Sequence, residues 1–195
     1  PLGILLGTIA AVTRHRWLEF LTMTVPLIGL SMPTFWSGIL LILLFGLHLR
    51  WLPVVGNAGF ASLIMPAVAL ALPAAAVIAR MTRASLMEVL TQDYVRTARA
   101  KGVQERAVMY RHALRNAMIP TVTIIGLQFG GLIGGAVIVE SVFARPGLGR
   151  LAVNSILTRD FPMVQAVVLF GAVGYVVINL LVDLLYGMLD PRIGQ

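Results

Sequence analysis

Phe20-Leu21-Thr22-Met23-Thr24-Val25-Pro26-Leu27-Ile28-Gly29-Leu30-Ser31-Met32-Pro33-Thr34-Phe35-Trp36-Ser37-Gly38-Ile39-Leu40-Leu41-Ile42-Leu43-Leu44-Phe45-Gly46-Leu47 is a run of 28 residues without Asp, Glu, Lys or Arg. About 20 apolar residues suffice to cross the hydrocarbon core of a bilayer as a helix. Helix is the form such a run must take, because away from water only a helix satisfies every backbone amide within its own segment. Further uncharged runs lie on both sides: 13 residues from Pro1 to Thr13, 17 from Leu63 to Ala79, 24 from Asn116 to Val139 and 22 from Phe161 to Val182. The sequence predicts an all-α, polytopic transmembrane helical bundle forming one domain over 1–195. Its spans are expected at about 1–13 (partial), 20–47, 63–79, 116–139 and 161–188. Four such runs as core helices of a soluble protein would leave it almost no polar surface.

Composition agrees. The chain is 58% hydrophobic and 12% charged, against about 25% charged for an ordinary soluble domain, and its mean hydropathy is +0.91. The net charge of +7 would suggest nucleic acid in a soluble protein. Here most of the charge falls in one block between apolar runs, so no nucleic-acid partner is expected. Cysteine is absent, which excludes disulfides, thiolate catalysis and Cys-based metal sites. The opening Pro1-Leu2-Gly3-Ile4 falls within an apolar stretch, with no initiator Met and no basic region before it. It reads as the truncated end of a membrane span, so the chain is expected to be the C-terminal part of a longer protein.

Lys and Arg alternate across the segments. Eleven (Arg14, Arg16, Arg80, Arg83, Arg96, Arg99, Lys101, Arg106, Arg111, Arg115 and Arg192) fall on one side, and Arg50, Arg145, Arg150 and Arg159 on the other. Positive residues in short loops are retained in the cytoplasm. This predicts a cytoplasmic loop at about 80–115, outer loops at about 48–62 and 140–160, and a cytoplasmic C-terminus. Pro26, Pro33, Pro66, Pro73 and Pro120 each remove a backbone hydrogen bond in or beside a span, so kinks are expected. Gly126, Gly130 and Gly134, with Gly131 and Gly135 on the next strip, present a bare backbone for close helix packing, or leave room along a substrate path.

The cytoplasmic block holds eight Lys/Arg and three acids, Glu88, Asp93 and Glu105, among good helix formers. Asp93 is expected to cap a short helix from Tyr94 to Lys101, and Gly102 to end it in the left-handed conformation. A second helix should come next, with Val103, Ala107, Tyr110 and Leu114 as its apolar stripe. Two short helices folded on a glycine make a knob able to sit in a groove of a cytoplasmic protein and transmit a push. A solvated basic loop near anionic lipid would need only the charge.

The run Asp93-Tyr94-Val95-Arg96-Thr97-Ala98-Arg99-Ala100-Lys101-Gly102, followed by Arg111-His112-Ala113-Leu114-Arg115-Asn116-Ala117 and Pro120, resembles the coupling loop of ATP-binding-cassette importer permeases. It is most similar to the inner-membrane permeases of the dipeptide, oligopeptide and nickel family. Glu140-Ser141-Val142-Phe143-Ala144-Arg145-Pro146-Gly147-Leu148-Gly149-Arg150-Leu151 agrees, as do Arg159-Asp160-Phe161-Pro162, Leu181-Val182-Asp183-Leu184-Leu185-Tyr186 and Leu189-Asp190-Pro191-Arg192. Against the broader importer signature, Ala98, Gly102 and Leu114 match. Arg96 and Thr97 stand where Glu and Ala would be, His112 replaces Ile and Arg115 replaces Pro. This looks like the peptide-type variant, and the Arg111 to Ala117 run resembles the first of two permease types.

The resemblance implies that Asp93 to Gly102 contact an ATPase subunit. It also implies a second homologous permease, two cytoplasmic ATPases that bind ATP and Mg, an extracytoplasmic solute-binding protein, and a place in a bacterial or archaeal cytoplasmic (inner) membrane. An additional first span and a large outer region precede the matching point in such proteins. The solute would be a dipeptide, an oligopeptide, nickel or a glutathione-like molecule.

The chain itself is expected to be no enzyme, to bind no cofactor and to hold no metal. Its one lysine, Lys101, precedes Gly102 outside any phosphate-cradling motif, and His15, His48 and His112 are scattered. Gln128 and Asn179 are the polar residues within spans most able to face a substrate path, or to make an interhelical hydrogen bond. Asp183 is expected to pair with a nearby Arg or helix end. Arg145, Pro146, Gly147 and Arg150 form an outer turn suited either to docking a binding protein or to packing over the helix ends. An ATPase-independent secondary transporter or channel is the alternative, though such proteins usually place ionisable groups near the midplane.

Overall fold

A computed structural model of the chain describes residues 1–13, 15–54 and 59–189, with side chains as far as Leu184. Arg14, Arg192, the motif from Asp190 to Arg192 and positions 55–58 of the first outer loop lie outside these residues. Among the described residues every regular element is helical. Three helices are long and apolar enough to cross a membrane, or four if one sharply bent pair counts as a single span.

The bent pair is the 28-residue run itself. It folds as α2 (Arg16–Ser31) and α3 (Thr34–Leu41), the latter continued by wide π-helical turns over Ile42–His48, with a bend of 107° between the two halves. A kink is expected here from Pro26 and Pro33; the bend at Pro33 is sharp enough to break the run expected at 20–47 into two helices. Pro33 supplies the reason: it disfavours helical dihedrals at Met32 and donates no N–H, so the chain stops and restarts with Pro33 as the N-cap of α3.

The other elements are α1 (Leu2–Val12), α4 (Ala61–Leu90), α5 (Asp93–Ala100), α6 (Glu105–Ala107), α7 (Arg115–Val142), α8 (Leu148–Leu157) and α9 (Phe161–Leu189). A π-helical stretch, Val108–Leu114, joins α6 to α7, so one helix runs over Glu105–Val142. At 1.5 Å per residue, the 30 residues of α4 reach about 45 Å. That exceeds a hydrocarbon core of about 30 Å, so the charged end of α4 continues as helix through part of the expected 80–115 loop. The segment 140–160, expected as an outer loop, likewise contains α8.

Two compact units divide the chain. The first comprises 1–27, 75–127 and 179–195, and the second 28–74 and 128–178. In the first, Leu86 of α4 packs with Met109, Ala113 and Ala117, flanked by Ala11, Val89 and Leu90. The expected stripe through Val103, Ala107, Tyr110 and Leu114 is corrected: Val108, Met109 and Ala113 are the buried positions, and Tyr110 is exposed. The π-helical turns take an extra residue each, which rotates the buried face away from the register of a regular helix.

Close approach in this unit is made by α1. Gly3 and Gly7 lie against α4 so tightly that a Cβ on Gly3 would meet Ala75 O at 2.7 Å, and one on Gly7 would meet Thr82 Cβ at 2.7 Å. Glycines four apart let two backbones touch where side chains would hold them off. Buried Ser85 Oγ donates to Ala117 O at 3.1 Å, tying α4 to α7.

The second unit is centred on Met65, Ala69, Val139 and Phe143, with Leu41, Ile42 and Phe45 packed against them. The glycine strip of α7 divides by neighbour. Gly130 faces Tyr175 and Gly135 faces Leu70, while Gly131 and Gly134 face open space; Gly126, in the first unit, lies against Val182. The apolar window of α9 is only 6% buried, with Leu169, Phe170 and Val176 exposed.

Candidate functional site

The knob is α5, separated from α4 by Thr91 and Gln92 alone. Its N-cap is Gln92, with extended dihedrals (φ −67, ψ 149) and no side-chain cap bond. The expected Asp93 cap is corrected: the extended residue that turns the chain lies one position earlier, and Asp93 is already helical. There its carboxylate still favours the positive helix end and lies 3.8 Å from Arg96. Both groups are well exposed, so the pair contributes little to stability.

The far end of α5 folds as the sequence predicts. Gly102 has φ +76, its N–H donates to Arg99 O at 2.9 Å, and the Val103 N–H donates to Ala98 O at 3.2 Å. These two bonds form a Schellman motif, which satisfies carbonyls that the last helical turn would leave open.

Three fastenings hold α5. Val95 is fully buried. Asn116 Nδ2, at the head of α7, donates to the Tyr94 phenol oxygen at 2.9 Å and to His112 O at 2.9 Å. Arg99 grips Glu105 with Nε at 3.1 Å and Nη2 at 2.6 Å, a bidentate arrangement of two parallel charge-assisted bonds. The hydrogen bond that Arg99 donates to the Glu105 carboxylate holds the guanidinium above its ordinary pKa, against a smaller opposing effect of burial. The opposite side of α5, with Arg96, Thr97, Ala100 and Lys101, is exposed.

The resemblance implies a coupling role for the ten residues from Asp93 to Gly102 and does not single out Asn116 or Glu105 as fastenings. A polar residue opening the uncharged run 116–139 is the available signal for Asn116.

In the second unit the turn expected on the outer side is held by its own contacts. Arg145 Nη1 donates to Ser62 O at 3.0 Å and to Ser62 Oγ at 2.9 Å. Glu140 accepts the Arg150 backbone N–H at 3.0 Å, at the start of α8, and its carboxylate fills the space a Cβ on Gly147 would occupy. Pro146 and the Arg150 side chain are exposed.

The residue that reverses the chain after α7 is Ala144, with φ 50. The Ala144 and Arg145 N–H groups donate to Ser141 O and Glu140 O, at 3.3 and 2.8 Å. Arg159 (φ 57) ends α8 in the same way, and Asp160 Oδ1 then accepts the Met163 N–H at 3.1 Å to open α9.

Gln128 on α7 is half-buried in the second unit and Asn179 on α9 half-buried in the first; neither side chain bonds a described residue. Asp183 is exposed and forms no ion pair among the described residues. No group of three or more His, Asp or Glu gathers as a metal site among the described residues.

Comparison with known proteins bears on the same span. The chain is 51% identical over 191 residues to the glutathione transport system permease protein GsiC of Escherichia coli K12, and equally to that of Shigella dysenteriae serotype 1. The match covers 98% of this chain and 62% of those relatives. The profile for the binding-protein-dependent transport system inner membrane component matches residues 3–195. A match over nearly the whole chain, on helices of membrane-crossing length, assigns it: the chain belongs to the family of binding-protein-dependent transport system inner membrane components.

Proposed function

We propose that this chain is the membrane-spanning part of a permease subunit of an ATP-binding-cassette importer, carrying a peptide-like solute by alternating access. The observation that carries the reading is the fastening of α5 to the helix beyond it, through Tyr94–Asn116 and Arg99–Glu105. A basic loop held only by its charge near lipid has no use for such ties, whereas a lever needs them. The exposed side of α5, with Arg96, Thr97, Ala100 and Lys101, seats in a cytoplasmic ATPase subunit. Asp93 to Gly102 move with that subunit, and the movement passes to α4 through Thr91-Gln92 and to α7 through Asn116.

Hydrolysis of ATP with Mg belongs to two separate ATPase subunits, and a second homologous permease completes the path. Gln128 and Asn179, each polar and without a bonding partner among the described residues, are proposed to face it. An extracytoplasmic solute-binding protein meets the outer turn at Pro146 and Arg150, which Arg145 and Gly147 hold in shape. The C-terminus is cytoplasmic. The name of the relatives supports glutathione, a tripeptide, as the solute to try first.

The test is reconstitution of the full-length protein with its partner subunits in proteoliposomes. Scrambling 93–102 is expected to abolish ATP-driven glutathione uptake while membrane insertion stands. Glutathione uptake that needs no ATPase subunit contradicts the reading.

A further inference from the structure

The first unit holds a cavity of about 710 Å³ that the coupling loop does not use, walled by Arg16, Trp17, Glu19, Phe20 and Met23 of α2 and Arg83 of α4. Arg83 Nη2 donates to Glu19, but its Nε–H is buried and meets no acceptor among the described residues. Leaving a buried donor unpaired is costly, so an oxygen that reaches this guanidinium from the cavity is favoured. Arg16 is exposed and forms no ion pair among the described residues. Two guanidiniums against one carboxylate leave the cavity positive.

The cavity also has an apolar side, at a particular depth. Trp17 and Phe20, 77% and 57% exposed, meet edge to face with centroids 6.3 Å apart. They lie where α2 passes from the basic residues before it into the uncharged run, and Met23 continues that wall inward by about a turn. Arg83 lies just past the matching boundary on α4, where the run to Ala79 ends. Basic and aromatic residues at such a boundary mark the membrane–water interface on the cytoplasmic side. A cationic rim above an apolar wall fits a phosphodiester carried on acyl chains. A free anion would leave Trp17, Phe20 and Met23 without a role.

We propose that this cavity binds an anionic glycerophospholipid of the inner leaflet. Its phosphate oxygens accept from the part-exposed Arg83 guanidinium and from Arg16, and an acyl chain lies along Phe20 and Met23. The proposal rests on the membrane placement of α2 and α4 and is independent of the importer reading.

The full-length protein in its native complex is purified in mild detergent and exchanged into nanodiscs of phosphatidylglycerol or phosphatidylcholine. Retained lipid is then counted by native mass spectrometry. Phosphatidylglycerol is expected to be retained preferentially, and Arg16→Gln to cut that preference about fivefold, the share of one interfacial arginine. Arg83→Lys keeps the charge beside Glu19 but removes the Nε donor, and should cut it several-fold. Should Arg83→Lys fail to fold, exposed Arg16→Gln decides alone. A benzophenone side chain in place of Met23 should capture a lipid-mass adduct on irradiation. Equal retention of the two lipids, a preference unchanged in both variants, displacement by inorganic phosphate with no lipid held, or capture of a peptide from another subunit would each overturn the proposal.

Discussion

Asn116 Nδ2 donates to the Tyr94 phenol oxygen across 22 positions of sequence, so the first turn of α5 and the head of α7 share one hydrogen bond. Tyr94→Phe removes the acceptor and leaves Asn116 its bond to His112 O. The loss of stability should be about 0.5–1.5 kcal/mol, the ordinary worth of one such bond. On the proposed function the loss of activity should be larger: solute moved per ATP hydrolysed falls while hydrolysis continues, as parallel uptake and phosphate-release assays would show. Unchanged stoichiometry would mean this bond transmits nothing.

Gly102 stands at φ +76 with nothing within 4 Å of where a Cβ would be, so a side chain there is penalised by backbone conformation alone. Gly102→Ala should lower stability by about 1 kcal/mol, and Gly102→Val by more, because a branched residue resists positive φ. Thermal unfolding in detergent reads the first effect. Uncoupled ATP hydrolysis by the assembled complex reads the second.

The opposite change is expected at the outer turn. Ala144 adopts φ 50, a conformation that costs an L-residue about 1–2 kcal/mol. Ala144→Gly should therefore raise stability by about 0.5–1 kcal/mol after the glycine's greater unfolded-state freedom is deducted. A lowered melting temperature would show that the Ala144 methyl makes a contact worth more than the strain.

Two glycines on different helices should respond in opposite ways to the same methyl group. Gly7→Ala forces α1 away from the α4 backbone and Thr82, and should cost about 1–3 kcal/mol. Gly131→Ala meets open space and should be neutral in the chain by itself. Fluorescence-detected thermal stability of both variants makes the comparison.

Much of this is legible in the residues. Runs without charge force helices, and Gly102 marks the end of the knob. What escapes depends on geometry that a regular period does not encode. Tyr110 falls on the inward stripe only if the 3.6-residue repeat is carried through Val108–Leu114, where the helix is wound wider. Asp93 has a side chain that suits a cap, while the backbone turns at Gln92. Ala144 and Arg159 carry no turn signal, yet each ends a helix in the left-handed region. The next residues require the reversal there, Arg145 by its tether to Ser62 and Asp160 by its cap on α9. Gly3 and Gly7 are visible as letters; their importance lies in Ala75, Ala79 and Thr82 on another helix.

The central claim is that the exposed side of α5 meets an ATPase subunit; these 195 residues contain no cysteine, and any cysteine elsewhere in the full-length complex is first replaced by Ser. In the full-length complex, single substitutions Arg96→Cys, Lys101→Cys, Val95→Cys and Arg150→Cys are treated with a short thiol-to-amine crosslinker and analysed by mass spectrometry. Crosslinks to the ATPase subunit are expected from positions 96 and 101, and none from buried 95 or outer 150. Crosslinks to that subunit from position 150, or none from 96 and 101 in a complex that hydrolyses ATP, would contradict the claim.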